Sequence, residues 1–313
     1  MYCFGYYHIG LMKVYLNSAG ESWVVDRFRD EWYKDNKKVS TNLIYFSDTI
    51  WILAPWVWNK IPKSQLKKKK VICSIYHIDF DKFGDIEKKD FKDRDKYVHK
   101  YHVISKNTMA QLEKLTSKKI ESIPFWVNKN NWFEIEDKDY LRKKYNLPID
   151  SFIVGSFQRD SEGKDLSKPK LSKGPDRFLE IVKKYNKEKN NLLVLLLGKR
   201  RDYLINSLKN ENISFKYLEM VNSFEINELY NCLDLYIIAS RVEGGPQAVA
   251  ECAITKTPVI STNVGVAPEI LSNESIFNME NYDNAKPNID VAYKNVQKLI
   301  TPNGYAPYLE LIK

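Results

Sequence analysis

The residues best suited to chemistry lie in one segment, Ser240-Arg241-Val242-Glu243-Gly244-Gly245-Pro246-Gln247-Ala248-Val249-Ala250-Glu251. An apolar run, Leu235–Ala239, precedes it and reads as a buried strand, and Pro246 suits the first turn of a helix. Gly244 and Gly245 remove side chains where the free N–H groups of that helix emerge. Unpaired donors, a favourable dipole and no Cβ in the way make an anion site. Gln247 and Glu251 are four apart and share a helix face. From inside the helix, the Glu251 carboxylate can accept both hydroxyls of a ribose. Glu243, in the loop, is placed to accept hydroxyls of a sugar. On spacing alone the segment is equally a helix capped by Gly-Gly-Pro with two solvated glutamates.

A strand, a turn and a helix must position these groups, and the chain repeats that unit. Short β-rich runs alternate with amphipathic stretches, which implies βα units and parallel sheets. In the first half, strands are predicted at Lys13–Asn17, Leu43–Phe46, Val71–Tyr76, Tyr101–Ser105 and Ile120–Ile123. Helices are predicted there at Trp23–Lys34 and Thr108–Leu115. A polar break, Asn128–Pro148, leads to a second and more regular series. Its strands are Phe152–Gly155, Leu192–Leu197, Phe215–Glu219, Leu235–Ala239 and Val259–Ser261. Its helices are Pro175–Asn186, Arg201–Leu208, Phe224–Cys232 and Pro246–Thr255. The expected architecture is α/β with two Rossmann-like domains, 1–145 and 146–313, whose parallel sheets face each other across a cleft. Ligands bind at the C-terminal strand ends of such sheets.

Composition narrows the class. A chain of 313 residues with 43% hydrophobic and 28% charged residues supports a large core and argues against disorder. No stretch approaches the roughly 20 apolar residues of a bilayer span. Residues 1–11 are aromatic-rich and uncharged, unlike a signal peptide, and Met12 reads as a more natural start. Cys3, Cys73, Cys232 and Cys252 are far apart without CxxC spacing, so buried thiols in a reduced compartment are expected. The net charge of +9 suits phosphorylated ligands or an anionic surface. Lys67–Lys70, with Trp51, Trp56 and Trp58 shortly before, is the candidate for lipid headgroups, although a solvated helix end explains the run more simply.

The order of motifs adds a family resemblance. The Glu243/Glu251 pair follows a strand ending in Ser240, and Thr257-Pro258-Val259-Ile260-Ser261-Thr262 and Val264-Gly265-Val266-Ala267-Pro268-Glu269 come after it. Tyr230-Asn231-Cys232-Leu233-Asp234 comes before. This region resembles the donor site of retaining glycosyltransferases of family 4, which have the GT-B fold. The likeness covers about residues 150–272, and residues 70–135 faintly. It implies a nucleotide-diphosphate sugar as donor substrate with no separate cofactor, and a saccharide or lipid-linked acceptor. Nucleic acid is not an implied partner; cell-surface polysaccharide assembly at the cytoplasmic face is the implied setting.

Carried over residue by residue, the resemblance gives Glu251 to the ribose and Glu243 to the sugar. Gly244 and Gly245, with Pro246 and Gln247, approach the sugar and diphosphate. An arginine and a lysine after the first strand of the second domain neutralise the diphosphate. Here that strand runs Val154-Gly155-Ser156-Phe157-Gln158-Arg159, and Lys173-Gly174-Pro175-Asp176 opens the next helix. Lys173 matches. Ser156 stands where the arginine is usual, so Arg159 is the expected replacement, and Asp160–Ser172 is an extra stretch. Lys256 replaces a usual glycine, and Gly245-Pro246 an aromatic-glycine pair. Fixed cations and a helix N-terminus stabilise charge on a leaving diphosphate, so no metal is expected.

Several residues carry weaker signals. His77 follows a first-half strand, where the resemblance implies a histidine near the donor sugar, and it is equally read as a satisfied core or surface residue. Asp79-Phe80-Asp81 matches the D-x-D metal signature of the other glycosyltransferase fold, and is preferred as a pair of loop carboxylates. Ser18-Ala19-Gly20-Glu21 can bring backbone close to a substrate, and Ser105-Lys106-Asn107-Thr108 reads as an N-cap. A sugar-nucleotide epimerase of the same fold and a non-catalytic polyanion- or membrane-binding protein are the rival functions. The expected location is cytoplasmic, with an anionic membrane face as a peripheral partner.

Overall fold

The computed structural model describes residues 12–21 and 24–313, and the expectation for residues 1–11 falls outside them. The chain forms two compact α/β units. Of the described residues, one holds those up to 103, 109–123 and 306–313; the other holds 104–108 and 124–305. This partition differs from a single division at 145/146: the second unit takes 104–108 and begins its main stretch at Pro124, and the last helix, Ala306–Ile312, packs into the first unit.

In the first unit, β1 (Val14–Leu16), β2 (Thr49–Ile52), β3 (Lys70–Ile75), β4 (Lys100–Val103) and β5 (Lys119–Ser122) pair parallel in sequential order. Ile50, Ile52, Val71, Cys73 and Val103 point to one side, against Trp58, Leu66, Phe91 and Leu112. Trp51 points to the other, edge-on to Trp32 and stacked on Tyr308, each at 5.4 Å. A buried polar chain crosses this face. Trp51 Nε1 donates to Ser74 Oγ at 2.8 Å, Ser74 Oγ meets His102 Nδ1 at 2.8 Å, and His102 Nε2 meets the Ile123 carbonyl at 2.8 Å. The carbonyl requires the proton on Nε2 and leaves Nδ1 to accept from Ser74, and burial lowers the pKa to about 4, so the imidazole is neutral at neutral pH.

The predicted strand Leu43–Phe46 is instead a turn of 3-10 helix, Ile44–Phe46, and the strand is Thr49–Ile52. The reason is pairing: β2 lies between β1 and β3 and is buried on both faces, whereas Leu43, Tyr45 and Phe46 protrude into solvent. Trp51 and Trp58 are buried and only Trp56 of the three is exposed, so they do not form an aromatic surface beside Lys67–Lys70.

In the second unit the strands are β6 (Phe152–Ser156), β7 (Ser161–Glu162), β8 (Lys168–Pro169), β9 (Leu192–Leu197), β10 (Phe215–Leu218), β11 (Leu235–Ile238), β12 (Val259–Thr262) and β13 (Ile276–Phe277). Six of them form one parallel sheet, ordered β10-β9-β6-β11-β12-β13. β7 and β8 form an antiparallel hairpin within the extra stretch 160–172. Helices cover both faces. Val154, Leu192, Val194, Leu196 and Ile237 pack with Phe178 and Leu204, while Ile153, Leu195 and Tyr236 pack with Leu229 and Val249. The strand order reverses between β6 and β11, where a doubly wound sheet opens a crevice at its C-terminal edge.

Candidate functional site

The segment after β11 lies at that reversal point, held by contacts between backbones. Arg241 and Val242 N–H both donate to the Ser172 carbonyl, at 2.9 and 3.1 Å. The Arg241 guanidinium grips Asp176 with two bonds of 2.7 and 2.6 Å. Gly174 has φ +63°, and a Cβ there would lie 1.9 Å from the Ala239 carbonyl oxygen. Gly265 has φ +49°, and its Cβ would lie 2.1 Å from the Gly244 carbonyl oxygen. Both positions need glycine for space and for conformation. Thr262 Oγ1 donates to the Ser240 carbonyl at 2.7 Å and ties β12 to the same turn.

This frame brings two of the predicted residues together: Lys173 Nζ pairs with Glu243 Oε1. The Glu243 side chain is 10% exposed, so it is not a solvated carboxylate. Ser240 Oγ lies 3.4 Å from the same oxygen. The Gln158 amide, just past β6, donates to the Lys173 carbonyl at 3.1 Å and reaches Ser240 Oγ at 3.4 Å. Thus the ends of β6 and β11 and the loop before the helix Pro175–Glu188 share one polar cluster.

Glu251 is buried as well, and Tyr230 donates to its Oε2 at 2.9 Å. Tyr230 packs among Phe157, Tyr236 and Trp132, at 4.8, 5.5 and 5.9 Å between ring centroids. Burial, then the Glu251 charge, pushes the Tyr230 hydroxyl well above its ordinary pKa, so it remains a donor. Gln247 is the first residue of the helix Gln247–Ile254, and Pro246 is its N-cap rather than its first turn.

The other predicted residues have different surroundings. A Cβ on Gly245 would lie 2.6 Å from Ile104 Cδ1, and one on Gly155 would lie 2.4 Å from Leu233 Cδ1. In both cases the missing side chain makes room for protein packing. Ser156 is buried beneath Arg201. Arg159 is half-buried beyond β6, and His77 is an exposed residue of the first unit, past the end of β3. Asp79 and Asp81 flank and enter the turn Phe80–Lys82, as loop carboxylates. The Ser18–Glu21 turn spends its N–H groups on Asp26, from Ala19 at 3.1 Å and Glu21 at 2.8 Å. Ser105 Oγ accepts from Thr108 N at 3.1 Å, an N-cap contact. Lys256 has φ +54°, the conformation that favours the glycine usual there.

Sequence reasoning missed Arg201. It is fully buried, pairs with Asp160 at 2.6 Å, and donates to the Ser156 and Leu197 carbonyls at 2.8 and 2.9 Å. It braces the end of β6 against the end of β9. Lys199-Arg200-Arg201 looks like a solvated basic turn, with nothing local to mark the buried member. Tyr230 is visible in the sequence only as part of a motif, without its contact to Glu251.

Residues 167–301 match the family described as Glycosyl transferases group 1. No curated protein matches the sequence. Among solved structures, sucrose-phosphate synthase from Thermosynechococcus elongatus is similar with a TM-score of 0.68 at 15% identity, over 92% of this chain and 75% of that one. HepE from Anabaena, in complex with UDP, has a TM-score of 0.74 at 12% identity, over 96% and 99%. A glycosyltransferase from Rickettsia africae has a TM-score of 0.63 at 20% identity, over 95% and 83%. These identities speak for the fold alone. The family match falls on the unit that holds the Lys173–Glu243 cluster and marks that stretch as a glycosyltransferase domain, and the GT-B fold extends along nearly the whole chain.

Proposed function

We propose that the protein transfers a sugar from a nucleotide-diphosphate donor to a saccharide or lipid-linked acceptor, with retention of configuration and without a metal. The observation that carries this reading is the Lys173–Glu243 pair at the strand-order reversal, with Glu251 oriented by Tyr230 in the helix that follows. Glu251 accepts the ribose hydroxyls, Glu243 accepts hydroxyls of the sugar, and Lys173 with Arg159 faces the diphosphate. As the bond between the anomeric carbon and the diphosphate oxygen breaks, positive charge grows on the sugar and negative charge on the leaving group. The fixed cations and the N-terminus of the helix Gln247–Ile254 stabilise the leaving charge. The acceptor oxygen bonds to the anomeric carbon on the face the diphosphate leaves, and its proton passes to the departing phosphate oxygen.

Cytoplasmic action, peripheral to an anionic membrane face, belongs to the same reading. No helix among the described residues is long and apolar enough to cross a membrane. HepE was solved with UDP-glucose, which makes UDP-glucose the first donor to try. The test is donor hydrolysis and thermal stabilisation across a panel of nucleotide sugars, followed by the anomeric configuration of any product. Stabilisation by one nucleotide diphosphate and an unchanged configuration are expected; no stabilisation by any of them refutes the proposal.

A further inference from the structure

The N-terminal ends of β1, β2 and β3 carry a surface that the donor chemistry does not use. Leu43, Tyr45 and Phe46, on and beside the 3-10 turn Ile44–Phe46, are 59%, 69% and 72% exposed. Large apolar side chains so exposed on one short turn form a protruding tip rather than a groove. Lysines surround it. Lys69 Nζ donates to the Tyr45 carbonyl at 3.2 Å, which places the end of the run Lys67–Lys69 against the tip. Lys13 Nζ donates to the Lys38 carbonyl, which gathers Lys37 and Lys38 at the start of β1. Lys37, Lys38, Lys67 and Lys68 are exposed, and none forms an ion pair with a described residue. Asp48, a carboxylate on this stretch, accepts the Lys13 backbone N–H at 2.8 Å.

Resting on the peripheral membrane action proposed above, we propose that this tip and its lysines dock the protein on an anionic lipid surface, with Leu43, Tyr45 and Phe46 entering the headgroup layer and the ammonium groups meeting lipid phosphates. The chemistry selects this occupant. A protruding apolar tip ringed by cations matches an interface that is anionic outside and apolar within. A second copy in an isologous dimer sets lysines against lysines. An acidic peptide neutralises the lysines and leaves the apolar tip in water. Within its own sheet the surface lies at the N-terminal strand ends, opposite the edge where substrate loops gather in such folds, and it shares no residue with the donor site.

Flotation of the full chain with phosphatidylcholine vesicles, with and without about a third phosphatidylglycerol, tests this. The protein is expected to float with the anionic vesicles only. The double substitution Lys67→Ser/Lys68→Ser reduces partitioning roughly twenty-five-fold, at about fivefold per lysine. Leu43→Ser/Phe46→Ser reduces it on the order of tenfold or more. Lys89→Ser/Lys92→Ser, on the helix Asp85–Asp95, leaves it unchanged. Thermal unfolding confirms that each variant is folded, and its response to nucleotide diphosphates reports the donor site separately. Failure of the wild type to float, equal flotation on neutral vesicles, or unchanged flotation in both docking variants overturns the proposal. Sedimentation as a dimer that is abolished by Leu43→Ser/Phe46→Ser, without lipid, also overturns it.

Discussion

Replacing Lys173 by methionine separates the structural work of the Lys173–Glu243 pair from its chemical work. The Lys173 and Glu243 side chains are 23% and 10% exposed, so removing the ammonium leaves a largely desolvated carboxylate beside Ser240. Breaking a fully buried pair costs about 3–5 kcal/mol, and the residual solvent access here reduces that to about 2 kcal/mol. For a unit of this size, such a loss lowers Tm by roughly 4–8 °C. Adding Glu243→Gln removes the stranded charge and restores most of that stability. Activity behaves differently. Removing a cation from the leaving diphosphate lowers kcat by about 10²–10³, and the second substitution does not restore it. Scanning calorimetry and donor turnover on the two single variants and the double variant give the answer. A Lys173→Met enzyme with wild-type turnover, or a double variant whose activity recovers with its stability, rules out this division between the two roles.

Three further outcomes follow from the same contacts. Tyr230→Phe removes the hydroxyl that orients Glu251 and costs about 1 kcal/mol of stability; donor KM should rise several-fold in steady-state kinetics, with a smaller change in kcat. Gly174→Ala places a Cβ 1.9 Å from the Ala239 carbonyl oxygen at φ +63°, so the loop must shift, and both Tm and donor binding should fall in calorimetry. His102 is neutral when folded, with a pKa of about 4, against about 6.5 when unfolded. Between those values the unfolded chain binds the extra proton, so stability falls as pH drops, by about 3 kcal/mol over the window. Denaturant titrations from pH 7 to pH 4 should show this slope, and His102→Asn should flatten it.

The second unit was legible because its signals are local. Leu192–Leu197 is six consecutive apolar residues, and the strand occupies those residues. The first unit was harder. The helix Asp85–Asp95 buries only Phe91 and Arg94, so it has little apolar periodicity to detect. The apolar run Leu43–Phe46 resembles a strand, but sheet pairing selects Thr49–Ile52 instead. The place of Ala306–Ile312 depends on Tyr308 stacking on Trp51, a contact between distant parts of the chain. At the site, residue types and spacing marked Glu243 and Glu251 as candidates, and the family resemblance added Lys173. Their partners were not legible, because Tyr230 with Glu251 and Arg201 with Asp160 are joined by folding and not by a local pattern. Gly155 and Gly245 show the converse: a glycine in a ligand-like motif whose space is taken by Leu233 or Ile104.

If Lys173, Glu243 and Glu251 together bind a nucleotide-diphosphate sugar, removing either the cation or the ribose carboxylate must weaken nucleotide binding. Calorimetric titration of the wild type, Glu251→Ala and Lys173→Met with UDP, GDP, ADP and CDP measures this. One nucleotide is expected to bind the wild type and to bind each variant at least tenfold more weakly, on the order of 1.4 kcal/mol. Binding of equal strength to all three proteins, or no binding of any nucleotide to the wild type, contradicts that role for the cluster.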